Sequence, residues 1–301
     1  RRADMITCTI QGNGDGSTAV DYTVNSSTGY PMITGSGSAQ HPVNHVLPAW
    51  DVACAYQAAF TIASAVDWRR RSGQGAELKL ALSDVAFTTL SHLGVLAEAE
   101  VLRQERPAVG NHIYGAFGRD FGTADGQRLM VAGISAGQWK SLVAACGIAE
   151  QIAELQRRTG RDLSDEEQRF EARDEIAALM EPWFAARTRE QAERELDAHR
   201  ATWGRYNTAG ELLAHDPRVS LANPVFERIN TPGIGEHIAA GSAVRAPALP
   251  REATAPAPLL GTHTDQILHE VLGLDSAAIG RLHDARIVAG PDQDPTVKAR
   301  A

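Results

Sequence analysis

The stretch "HPVNHVLPAWDVACAYQAAFTIASAVDW", residues 41 to 68, constrains this chain more than any other. Between Asp21 and Asp67, Asp51 is the only Asp, Glu, Lys or Arg. From Asp51 to Trp68 the residues are chiefly Ala, Val, Cys, Tyr, Phe, Thr, Ile and Gln. A helix apolar all round is a core helix, and Arg69-Arg70-Arg71 followed by Gly73-Gln74-Gly75 supplies a cationic C-terminus and a stop. Upstream, Met5 to Ile10 alternates as a strand and ends in the loop Gly12-Asn13-Gly14-Asp15-Gly16. "TGSGSAQHPVN" is a second Gly/Ser-rich loop. Downstream, "AELKLAL" alternates as a strand, and Ser83 or Asp84 caps a helix running through "VAFTTLSHLGVLAEAEVLRQ". The order β–loop–α–turn–β–α is that of an α/β domain. A parallel sheet rarely opens directly on such a strand, so the expectation is that an N-terminal portion is missing.

After Pro107 the texture changes. "GNHIYGAFGRDFGTADGQRLMVAGI" reads as a hairpin with Asp125-Gly126 as a two-residue turn. "SAGQWKSLVAACG" reads as a helix with Ser135 as N-cap, and Ile148 to His199 is charged and helical, with a capping box at Ser164 and Glu167. Glu181-Pro182-Trp183-Phe184 falls between two helical patterns. From Asp216 onward Pro and Gly recur, "RAPALPREATAPAPLLG" reads as a linker, and "THTDQILHEVLGLDSAAIGRLHD" as one closing helix.

Several function classes fall away. With 29 basic against 37 acidic residues the net charge is −8, and the one dense basic run is short, so neither nucleic acid nor a membrane is an expected partner. Cys8, Cys54 and Cys146 are odd in number and far apart; they read as reduced thiols of a cytoplasmic protein, with no metal-binding spacing. "GISAG", Gly133 to Gly137, matches the nucleophile-elbow pattern of hydrolases, but its strand belongs to a hairpin, which favours Ser135 as a cap. His263, His269 and Glu270 lack zinc-site spacing, and "GNGDGS" lacks the Lys-Ser/Thr of a P-loop, so neither a metal site nor nucleotide hydrolysis is expected. At the head of its helix, Asp51 reads first as a capping residue behind Pro48. That role is compatible with a second one, since an ionised carboxylate in an apolar setting is a competent nucleophile toward an activated acyl group.

At this point "DVACAYQAAFTIASAVDWRRRSGQGAELKLALSD" resembles the central signature of the class III CoA-transferases, in which an Asp opens an Ala-rich helix. Further likenesses run in order along the chain. "DMITCTIQGNGDGS" with "VDYTVNSSTGYPMITG" resembles the strand, glycine turn and Asp segment upstream; "GNHIYGAF" with "TADGQRLMVAGISAGQWKSLV" resembles the small-domain hairpin and helix. "LLGTHTDQILHEVLGLDSAAIGRLHDARIV" resembles the closing segment, with Gly261-Thr262-His263-Thr264 where the family has Gly-Glu-His-Thr. The related racemases carry a His just before the upstream Asp; Val20 stands there, which argues against racemase activity.

The resemblance implies an α/β fold: a Rossmann-like large domain, begun in residues 1–105, a smaller α+β domain inserted at 106–215, and a linker and return at 216–301. It implies an acyl-CoA substrate, with coenzyme A part of that substrate, no permanently bound cofactor, no metal, and an interlocked homodimer. "STAVDYTVN", "PVNHVLPAWD", "EPWFAART" and "NPVFERINTPGIG" narrow it to the subgroup that moves CoA between the two carboxyl groups of mesaconate. Asp51 is then the nucleophile, acylated in a water-excluded setting. Gly110 and Gly115 bound the shielding loop with its oxyanion donors, and His45, Asn111, His112, Tyr114 and Arg119 hold the substrate. The alternatives are an intermolecular transferase and an inactive, shortened chain.

Overall fold

The strand read at Met5–Ile10 is β1 (Ile6–Gln11), and it pairs in parallel with β2 (Ala76–Ala81), Ile6 opposite Ala76 through Gln11 opposite Ala81. The structure is a computed structural model that describes residues 2–35 and 41–298; positions 36–40 of the expected Gly/Ser loop lie outside the described residues. Parallel strands need a long crossover. Here it carries α1 (Asp21–Ser26), α2 (Tyr30–Ile33) and the long α3 (Ala49–Ser72), which ends as expected at a left-handed glycine, Gly73. Two residues on, a Cβ at Gly75 would lie 1.9 Å from the Met5 carbonyl oxygen, so only glycine lets β2 enter beside β1. After β2 come α4 (Leu82–His92) and α5 (Val95–Leu102). A core of Val24, Trp50, Cys54, Ala58, Leu80, Leu82 and Ala86 joins these elements.

Two expectations need correcting here. α3 is not buried all round: Trp50, Cys54, Ala58 and Ala65 face inward, whereas Tyr56 is 76% and Phe60 70% exposed. Two strands and their neighbours cover one face of a helix, and the opposite face stays open in a single chain. Nor do Ser83 and Asp84 cap α4. The helix begins at Leu82 straight from the strand, which places both residues inside its first turn.

A second layer pairs β3 (Phe117–Gly122), β4 (Arg128–Gly133) and β5 (Thr202–Arg205) in the antiparallel order β3-β4-β5. On it pack α6 (Ala136–Cys146), α7 (Ala149–Thr159), α8 (Glu166–Glu171), α9 (Arg173–Ala185) and α10 (Arg189–Ala198), around a core that includes Phe117, Leu129, Leu142, Ile176, Met180 and Phe184. Ser135 caps α6 through a reciprocal box with Gln138. The hairpin is real, but the Thr123 N–H bonds to the Gln127 carbonyl, so its loop is Ala124-Asp125-Gly126 and not two residues. Asp165, not Ser164, caps α8. Glu181 to Phe184 lies inside α9, which tolerates Pro182 near its end because Phe184 is buried and stacks on Phe121 at 4.5 Å.

These elements make one compact unit, Arg1–Tyr206, and Asn207–Ala301 make a second. The second holds α11 (Ala209–His215), an antiparallel hairpin of β6 (Phe226–Thr231) and β7 (Gly235–Ala240), then α12 (Thr264–Glu270) and α13 (Ser276–Asp284). The single closing helix expected from sequence is broken at Gly273, whose φ is 67°, and Asp275 restarts it by accepting from the Ala278 N–H at 2.7 Å. Among the described residues no single helix is long and apolar enough to cross a membrane.

Candidate active site

Asp51 is the third residue of α3, with Pro48 in the N-cap position and no side chain there to accept a hydrogen bond. The first amides of a helix have no partner within it. The acceptor comes from α1: Oδ2 of Asp21 accepts the N–H of Trp50 at 2.7 Å and that of Asp51 at 3.1 Å. Asp21 is 2% exposed, and its negative charge at a helix N-terminus is favourable to the helix dipole. The capping role read for Asp51 therefore belongs to a residue thirty positions upstream, and the Asp51 carboxylate is left exposed to solvent. In a single copy of the chain that carboxylate is open to water.

The residue before Asp51 is held as firmly. The Trp50 indole N–H donates to Oδ1 of buried Asn25 at 3.1 Å, Asn25 in turn donates to Asn44, and Tyr30 stacks on the Trp50 ring at 6.2 Å. One turn beyond Asp51, burial and then the Asp51 charge push the Cys54 thiol up, away from the reactive thiolate form. Asp21 and Asn25 were missed as functional residues by sequence reasoning. The available signal was the likeness of the segment upstream, which marks an Asp there without saying what it touches.

The other expected residues fall into three groups. His45 lies just upstream of α3, its Nδ1 paired with the Leu47 carbonyl. Tyr114 reaches away from the cleft lined by its neighbours: its hydroxyl donates to Glu98 on α5 at 2.9 Å, its ring meets Phe170 edge-on at 5.0 Å, and the Arg106 guanidinium lies 4.1 Å from the ring centre. Gly110, Asn111, His112 and Arg119 line one cleft together with Asp120, Arg128, Arg173 and Asp174. No hydrogen bond, ion pair or ring contact among the described residues joins Asp51 to any of these residues.

Within the cleft several polar groups bind one another. Buried Asp120 receives Asn111 Nδ2 at 2.9 Å and an ion pair from Arg128. Burial alone would push its carboxyl up, but these two donors outweigh it and hold it below the ordinary value of 3.8. His112 lies 3.4 Å from Asp174 through Nε2, and burial first, then the charge of Arg119, pushes its imidazole below the ordinary 6.5. The left-handed Gly110 donates its N–H to the Gly35 carbonyl at 2.7 Å, which commits that amide, whereas the Gly115 N–H has no acceptor among the described residues. Gly118 sets how closely the loop lies on β3, since a Cβ there would meet the Ile113 side chain at 2.8 Å. Ser135 serves as the cap of α6, its Oγ accepting the Gln138 N–H at 3.3 Å. Among the described residues no three His, Cys, Asp or Glu side chains gather as metal ligands.

This geometry can be set beside known proteins. The sequence model of CoA-transferase family III matches residues 1–264. The chain is 47% identical, over 97% of its length, to 2-methylfumaryl-CoA isomerase of Chloroflexus aurantiacus, and covers 71% of that protein. It is 30% identical, over 48% of its length, to formyl-CoA:oxalate CoA-transferase of Rhodopseudomonas palustris, of which it covers 33%. Among solved structures it resembles a CAIB/BAIF family protein from Brucella suis with a TM-score of 0.70 at 20% identity, over 89% of this chain and 68% of that one. That last likeness concerns the fold alone.

Proposed function

The chain is an enzyme of CoA-transferase family III, and from that premise we propose that it moves coenzyme A between the two carboxyl groups of mesaconate, converting 2-methylfumaryl-CoA to 3-methylfumaryl-CoA. The observation that carries this reading is the 47% identity along 97% of the chain to a protein named for that reaction. Asp51 is the nucleophile. Its carboxylate attacks the thioester carbonyl, the C–S bond breaks, and a mixed anhydride and CoA thiolate result. The thiolate attacks the aspartyl carbonyl of the anhydride and releases mesaconate, leaving an aspartyl thioester. Mesaconate turns and its other carboxylate attacks the aspartyl thioester, breaking its C–S bond to expel CoA thiolate and form a second mixed anhydride. The thiolate then attacks the mesaconyl carbonyl of that anhydride, giving 3-methylfumaryl-CoA and releasing the Asp51 carboxylate. Covalent catalysis conserves the acyl activation at each step.

Support for the assignment comes from the division of labour at the head of α3. Because Asp21 caps the helix, the Asp51 carboxylate is free to meet an electrophile. Anhydrides and thioesters must be kept from water, and Asp51 is exposed in one chain. A homodimer whose second copy covers the open face of α3 would provide the cover, and the bared Tyr56 and Phe60 favour one. The 110–115 loop would shield the site, with Gly115 the better amide donor because Gly110 is already bonded. His45, Asn111, His112 and Arg119 would hold the turning dicarboxylate, and Tyr114 would act through the loop, given its bond to Glu98. We propose that 1–105 is the first part of the large domain, 106–215 the small domain, and 216–301 a linker and return to the large domain. The three free cysteines are consistent with the cytoplasmic residence we propose.

The second reading, transfer of CoA to a separate acid, is favoured by the likeness to formyl-CoA:oxalate CoA-transferase. Trapping decides on the nucleophile. Incubation with 2-methylfumaryl-CoA and quenching with hydroxylamine should leave a hydroxamate on Asp51 by mass spectrometry, and Asp51→Ala should lose turnover by at least about 10³-fold. An adduct elsewhere, or turnover by that variant, sinks the assignment. Free isotope-labelled mesaconate supplied during turnover should not enter product; entry would mean intermolecular transfer.

A further inference from the structure

We propose that the cleft between residues 108–112, the start of β3 and the N-terminus of α9 is an oxyanion-binding site, with Arg119 and Arg173 as its clamp. The cleft has a volume of about 490 Å³. Of its three guanidiniums only Arg128 is neutralised among the described residues, by Asp120. Arg119 and Arg173 have no carboxylate partner among the described residues. Each guanidinium is instead held by one N–H and a ring: Arg119 donates Nε to the Asp120 carbonyl at 3.2 Å and lies over the Phe121 ring, and Arg173 donates one Nη to the Phe170 carbonyl at 3.0 Å and lies over the Phe170 ring. Two guanidinium forks with N–H groups to spare, each fixed by an aromatic face, are prepared to receive a planar carboxylate or a phosphate.

A second observation points the same way. The His112 side chain is only 8% exposed, yet its Nδ1 has no hydrogen-bond partner among the described residues. A buried polar atom left unpaired calls for an explanation, and a bound group supplies one. With Nε2–H turned to Asp174, Nδ1 is bare in the neutral ring and becomes a donor when the ring takes up a proton. The charged groups that face it are Arg119 and Arg173, which oppose that proton, and Asp174 and Asp120, which favour it. An anion seated between the two arginines cancels their opposition, so binding should bring a proton onto His112.

The site rests on the geometry alone; the identity of its occupant rests on the CoA-thioester reading. The shared chemistry is an anionic oxygen pair, either the free carboxylate of the dicarboxylyl group or a phosphate of coenzyme A. Titration calorimetry on the full chain distinguishes them, with mesaconate, coenzyme A, dephospho-coenzyme A and inorganic phosphate as probes. Arg119→Gln and Arg173→Gln should each weaken one class of probe by about 10-fold or more, while Arg157→Gln, at an exposed position of α7, should not. Loss confined to mesaconate assigns the carboxylate, and loss confined to the phosphate-bearing probes assigns the nucleotide. Proton uptake, read from the dependence of binding heat on buffer, should vanish in His112→Gln. Unchanged affinity for every probe in both arginine variants, with melting temperatures showing they fold, overturns the proposal, as does the absence of binding by the parent chain. Since no turnover is measured, an inactive Asp51 or a different reaction leaves this result readable.

Discussion

At the residue scale, the head of α3 depends on a single side chain that lies far from it in sequence. Asp21 accepts two backbone N–H groups through one oxygen, and both would lose their acceptor if it were removed, that of Trp50 at a buried site and that of Asp51 at a part-buried one. Asp21→Ala should therefore destabilise unit 1 by about 2–4 kcal/mol, from the desolvation of two unpaired donors. Asp21→Asn, which retains an acceptor oxygen, should lose about half as much. Chemical denaturation of both variants checks this, and equal losses would mean that charge rather than geometry is what matters. The lone carboxylate of Asp51 was legible in the sequence as an oddity, and its helix and position were read correctly. Its cap was not, because hydrogen bonds between residues thirty apart leave no local pattern. The same limit hid Asp120, Arg173 and Asp174, whose ordinary spacing gives no hint that tertiary folding gathers them around His112.

At the scale of elements, the β3–β4 hairpin is where the 110–115 loop is anchored. Asp120 faces both: Arg128 from the neighbouring strand and Asn111 from the loop. Its carboxyl is held below 3.8, so its stabilising contribution is complete above that value and fades as the pH falls through its lowered one. Thermal melts from pH 6 to about pH 2 should show Asp120→Asn less stable than the parent near neutrality and less steeply affected by acid. A parallel pH dependence in the two proteins would exclude this pair as a source of acid sensitivity. The hairpin, the two parallel strands and most helices were legible because alternation and 3.6-residue periodicity are local. Boundaries were legible to within a few residues where competing caps stood side by side, as Ser164 and Asp165 do. The Pro182 inside α9 was read as a break because burial of Phe184, which overrides it, is a tertiary effect.

At the scale of the molecule, the outward face of α3 carries Val52, Tyr56 and Phe60 beside the exposed Asp51. A sequence apolar all round does not say whether its cover comes from the same chain or another, which is why the helix was expected to lie in the core. If a second copy provides the cover, Phe60→Glu should shift sedimentation toward the monomer and lower activity at low protein concentration, with the secondary structure unchanged. A dimer that survives this change would place the interface elsewhere. A different consequence follows from the way the loop at 110–115 is moored. Gly110 is bonded to Gly35, and Tyr114 is bonded to Glu98, so both ends are tied to the layer that carries α3, while the chain beyond continues into β3. Such a segment works as a strut between two cores rather than a hinged flap. To swing open it must break both moorings or drag α5 with it.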